Sequence, residues 1–131
     1  MEKTAQRREA FRKCESYLLL YVPNILSEQF VTIGVLFKGQ RSGQSPPHLE
    51  ARFLTDWSKV KCLDPNADVA LLRSLVNEIG NKWTNPSLYE ELLDRLRNTL
   101  SNTVRLCGPT ISFPPDPRHE LELLTKVHLS N

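Results

Sequence analysis

An α+β domain is the fold class this sequence predicts: an antiparallel three- to four-stranded sheet with two or three C-terminal helices packed on one face. Three observations carry it. The first third holds two strand-length apolar runs, "YLLLYV" and "FVTIGVLF". The later part repeats apolar residues at helical spacing. At 131 residues, 40% hydrophobic and 24% charged, the chain has a globular balance and room for one core.

Residues 1–13 contain good helix formers but few apolar side chains, chiefly Ala5, Ala10 and Phe11. A short frayed helix or a disordered lead is expected there, with a single domain over 14–131. "SYLLLYV" then reads as a strand covered on both faces and therefore central. Pro23 and Asn24 stop it, because proline has no amide proton and asparagine favours turns. A second strand is expected over Gln29–Lys38, with Val31, Ile33, Val35 and Phe37 on one face. Phe30, Thr32, Gly34 and Leu36 form the other. Glu28 falls in the preceding turn, and Gly34 marks a bulge or the close approach of another backbone.

"KGQRSGQSPPH" reads as a long hairpin loop. "LEARFL" alternates and forms a third strand, antiparallel to the second, whose charges protect a sheet edge. Helical spacing follows from Asn66 or Asp68, both N-cap residues, through Leu72, Leu75, Val76, Ile79 and Trp83. Gly80 ends that helix, with Trp83 packing just beyond. The next helix starts from Asn85 and Pro86, with Glu90 and Glu91 near its positive end and Leu88, Leu92, Leu96 and Leu100 as the core stripe. "TVRLCG" adds a fourth strand. Asp116 caps a last helix led by Pro117, with Leu121, Leu124 and Val127 or His128 facing inward.

The composition narrows the chemistry. No apolar run approaches the ~18 residues of a bilayer-crossing helix, so no membrane partner is expected. The charged N-terminus lacks a secretory signal, and the expected location is cytoplasmic. Cys14, Cys62 and Cys107 are odd in number and far apart, which predicts three buried thiols rather than a disulfide framework. His48, His119 and His128 are scattered without metal-ligand spacing, so no metal is expected. The chain has no Gly-x-Ser-x-Gly elbow and no glycine cluster for a phosphate or dinucleotide cofactor. No catalytic residue and no cofactor are assigned.

Two constellations remain for binding. Arg52, Lys59 and Lys61 surround Trp57 in "RFLTDWSKVKC", a mixture of cation and aromatic suited to bases and phosphates. The competing reading plugs the core edge with Trp57 and leaves the charges solvated. The net charge is +2, yet residues 1–13 hold five basic residues against Glu2 and Glu9, leaving +3 there and about −1 elsewhere. Nucleic acid or an acidic protein would meet that lead first. Glu28 and Thr32 are the remaining candidate binding residues, beside the Gly34 face.

"YLLLYVPNILSEQFVTIGVLF", "ARFLTDWSKVKCLDPNADVALLRSLVNEI" and "SNTVRLCGPTISFPPDPRHELELL" together resemble the bacterial family known as domain of unknown function 3037. The strand pair carries most of the likeness: a Tyr-Val-Pro stop, an acid, then hydrophobic–Gly–Val. The resemblance implies a short bacterial protein without an assigned activity, and its family context implies a HipA-like kinase as partner. The function expected is that of an accessory or regulatory domain acting by protein–protein contact. Two alternatives stand beside it: a nucleic-acid-binding module using the basic lead with Arg52, Lys59 and Lys61, and a small enzyme with a site over the Thr32–Gly34 face.

Overall fold

The computed structural model describes residues 13–23, 29–40, 46–99, 104–114 and 116–129. Glu28, most of the basic lead and the middle of the 38–48 loop lie outside the described residues. Four strands, β1 (Lys13–Tyr21), β2 (Val31–Gln40), β3 (His48–Phe53) and β4 (Val104–Ser112), form one antiparallel sheet in the order β3-β2-β1-β4. The continuous apolar run of β1 takes an interior position, as its composition requires. β3 is an edge strand paired antiparallel with β2. β4 extends past Gly108 to Ser112, four residues beyond "TVRLCG".

Register decides what each face carries. Tyr17 lies opposite Leu36 and Leu19 opposite Gly34, which places all four on a first face. Ser16 opposite Phe37 and Leu18 opposite Val35 define the second. Between Leu19 and Leu20 the register slips, and Leu20 meets Thr32 while Tyr21 meets Val31. This bulge overturns the simple alternation read from the sequence. Thr32 leaves the Gly34 side and joins the second face, and Val31 crosses to the first, because one extra residue in β2 inverts everything beyond it.

Four helices follow among the described residues: α1 (Ser58–Leu63), α2 (Val69–Trp83), α3 (Tyr89–Thr99) and α4 (Pro117–Leu129). Asp68 caps α2 by accepting from the Leu71 amide at 3.0 Å. Asp116 Oδ1 accepts from the Arg118 and His119 amides at the start of α4. Gly80 does not end α2, which continues to Trp83. A Cβ at Gly80 would stand 2.8 Å from the ring of Phe53, so the glycine is there for contact with the sheet. Asn85 accepts from the Ser87 amide in a turn, and α3 opens at Tyr89. Its inward stripe is therefore Tyr89, Leu92 and Leu96, with Leu88 exposed; Leu100 lies outside the described residues.

α2 and α3 share the first face, two helices on one side as the pattern predicts. There Trp83, fully buried, packs edge-on against Tyr17 and Tyr89 with both centroids at 5.7 Å, and its Nε1 donates to the Phe37 carbonyl at 3.1 Å. α4 turns to the second face, over β2 and beside Cys14, where Leu121 and Leu129 are buried and Val35 and Phe37 lose their solvent. Of the two alternatives for the inward place, Val127 points outward at 64% exposure and His128 is half-buried. Of the three thiols only Cys14 is buried; Cys62 and Cys107 are exposed, on a six-residue helix and an edge strand that each have one side in water.

Candidate functional site

Where β3 meets α2 the packing leaves an open hollow of about 590 Å³, within the ~300–1,000 Å³ range of ligand-binding clefts. Ala51 and Phe53 form the sheet side, Leu54, Thr55 and Trp57 the end, and α2 the opposite wall. α2 presents Arg73, Asn77 and Asn81, spaced i, i+4 and i+8 and so stacked on one helical face, with Thr84 one turn on. All four are exposed. Arg73 forms no ion pair with a described residue. The described lining holds one formal charge, positive, and no carboxylate, imidazole or thiol. Such a surface can hold a ligand by shape, amide hydrogen bonds and one cation. It does not bring an acid and a base together.

The floor of this hollow is set by a ring wedged between two glycines. Phe53 Cδ1 stands 2.8 Å from where a Cβ on Gly34 would be, and Phe53 Cε2 stands 2.8 Å from where one on Gly80 would be. A side chain at either position would displace the ring. The Gly34 side of the sheet is thus covered by Phe53 and α2, and the hollow opens beyond the ring rather than over the strand.

The residues expected to bind are dispersed. Glu28 lies outside the described residues. Thr32 is 9% exposed and faces Leu20 across the ladder, away from the hollow. Arg52 pairs with Glu50 at 3.5 Å, and its Nη1 donates to the Ala51 carbonyl at 3.2 Å. Trp57 is 8% exposed, at the core edge, and lines the hollow's end. Lys61 Nζ donates to the Pro65 carbonyl at 3.1 Å, and Lys59, half-buried, is also engaged. Two residues apart on α1, these lysines do not share a face. Of the five that lie among the described residues, Trp57 alone lines the hollow, and Arg52, opposite Val35, belongs to the other face of the sheet. Arg73, Asn77 and Asn81 escaped sequence reading because a polar i, i+4, i+8 stripe is also what any solvated helix shows.

The strongly shifted protons lie elsewhere. Burial, then the hydrogen bond to Asp64 at 2.6 Å, pushes the Tyr21 phenol up to about 12. Burial, then the Glu120 carboxylate, raises the Cys14 thiol to about 11. Neither group lines the hollow. Among the described residues no group of three His, Cys, Asp or Glu is placed to hold a metal ion, and no helix is long and apolar enough to cross a membrane.

No curated protein and no solved structure matches the chain. The family described as protein of unknown function (DUF3037) matches residues 17–128, which takes in β1 from Tyr17 on, β2 to β4, α1 to α3, α4 up to His128 and every described residue lining the hollow. On that span the chain belongs to the DUF3037 family.

Proposed function

We propose that this domain is a non-enzymatic accessory module of the bacterial cytoplasm that works by protein–protein contact, and that the hollow between β3 and α2 is its contact surface. The observation that carries this reading is the hollow's composition: an aromatic and aliphatic floor, an amide and hydroxyl rim, and one cation, with no acid–base pair in the described lining. Apolar floors with polar rims are how interfaces combine desolvation with orientation. Family context puts a HipA-like kinase first among candidate partners.

Filling the hollow tests it. Asn77 is exposed, so Asn77→Trp places bulk in the cleft without opening the core. Wild-type and Asn77→Trp chains would be used as baits in native bacterial cytosol, with captured proteins quantified by mass spectrometry and the HipA-like kinase followed as a named candidate. A stoichiometric partner that falls at least tenfold with Asn77→Trp is expected. No partner on the wild type, or equal capture by the filled variant, would refute the groove as the contact surface.

A further inference from the structure

Among the described residues, no strand pairs with the outer edge of β3. The Leu54 amide donates to the Ile33 carbonyl at 3.0 Å, and Phe53 lies opposite Gly34. Those two facts fix the antiparallel alternation: Arg52, Glu50 and His48 turn N–H and C=O toward β2, and Phe53, Ala51 and Leu49 turn theirs outward. The contact from Arg52 Nη1 to the Ala51 carbonyl agrees independently, since an in-sheet carbonyl would be less accessible to it. Ala51 and Phe53 are also the β3 residues that line the hollow. An open strand edge therefore borders a cleft whose far wall is a helix.

Resting on the groove reading above, we propose that the partner binds by strand addition: an extended, acidic peptide segment pairs with the outer edge of β3 and lies between it and α2. The dimensions agree. Arg73 to Thr84 spans roughly 16 Å of helix at ~1.5 Å per residue, about five residues of extended chain at ~3.3 Å each. Outward groups of Ala51 and Phe53 supply main-chain hydrogen bonds, and alternate peptide side chains enter over Phe53 and Trp57. Charge selects the partner. Arg73 is the one charged residue of the described lining and has no described counter-ion, so a peptide carboxylate completes it. The opposite edge is less suited: β4 carries a register break between its partners Ser16 and Leu18, and Pro109 there has no amide to donate. Arg52 screens the β3 edge in the free protein and must release the Ala51 carbonyl when a strand arrives.

A phage-displayed library of random seven-residue peptides, selected against the full chain, is the probe. Selected sequences are expected to carry Asp or Glu at one position with apolar residues alternating beside it. Synthetic copies N-methylated one residue at a time should lose about fivefold to tenfold in affinity at every second position and little between. Arg73→Glu should weaken binding at least tenfold, with recovery when the peptide acid becomes Lys; circular dichroism confirms that the exposed substitution leaves the fold intact. Selection of no acidic peptide, or N-methylation without the two-residue period, overturns strand addition. The groove itself is judged separately: peptides sensitive to Arg73→Glu but without the period leave it standing, and peptides indifferent to both Arg73→Glu and Asn77→Trp remove both readings.

Discussion

Gly80→Ala should destabilise this protein, although the same change stabilises most helices. In a helix interior, alanine is favoured over glycine by about 1 kcal/mol. At Gly80 the new Cβ would stand 2.8 Å from Phe53 Cε2. Retreat toward Gly34 is closed, because the ring's other edge already fills the space above it, 2.8 and 2.9 Å from where a Cβ there would lie. The ring can yield only by leaving the wedge toward the hollow and giving up its packing. Overpacking of this kind costs about 1–3 kcal/mol. The difference is a net loss of about 1 kcal/mol, a fall of about 0.5 M in the urea midpoint at a slope of about 2 kcal/mol/M. Equilibrium urea unfolding followed by far-ultraviolet circular dichroism measures it. The cause is isolated by a second background: with Phe53→Ala the obstruction is gone, and Gly80→Ala should become stabilising by about 1 kcal/mol. A gain in the wild-type background, or the same loss in both, would refute the wedge between two glycines.

Trp83→Phe removes the donor to the Phe37 carbonyl and leaves a gap between Tyr17 and Tyr89, with an expected loss of about 2–3 kcal/mol in the same urea assay. Thiol titration of the native protein with a chromogenic disulfide should show Cys62 and Cys107 reacting quickly and Cys14 only after unfolding, since Cys14 is buried and its thiol is raised to about 11. Both Cys14 and Tyr21 have folded pKa values above their ordinary values of 9.0 and 10.0, so the folded state holds these protons more tightly than the unfolded chain. Their contribution to stability is fully present below about pH 9 and is lost as pH rises through about 11 and about 12. Urea midpoints should therefore hold up to about pH 9 and decline above it, and Tyr21→Phe should flatten the upper part of that decline.

The sheet was largely legible because β1 and β2 are long apolar runs, and Asp68 and Asp116 announce helices by a local hydrogen bond that sequence spacing reveals. What was not legible depends on pieces brought together by folding. The slip opposite Leu20 carries Thr32 to the other face, yet one extra residue in a strand leaves no mark in an alternating pattern. Gly80 looked like a helix end because its reason is a ring from β3, distant in the chain. α1 is too short to show a period. The hollow is the least legible element: Arg73, Asn77 and Asn81 are an ordinary polar stripe until β3 is set beside them, and Trp57 sits at the core edge, as its competing reading has it, while also lining the hollow.

Placing α4 across the second face has a consequence for how the chain is made. During synthesis, Val35 and Phe37 emerge long before the segment that shields them, so the growing polypeptide carries a bare, sticky β-surface through most of its translation. Chains cut short ahead of Pro117 would keep that liability permanently, and precipitation of such fragments, beside a well-behaved full-length product, is the outcome to expect from expressing them.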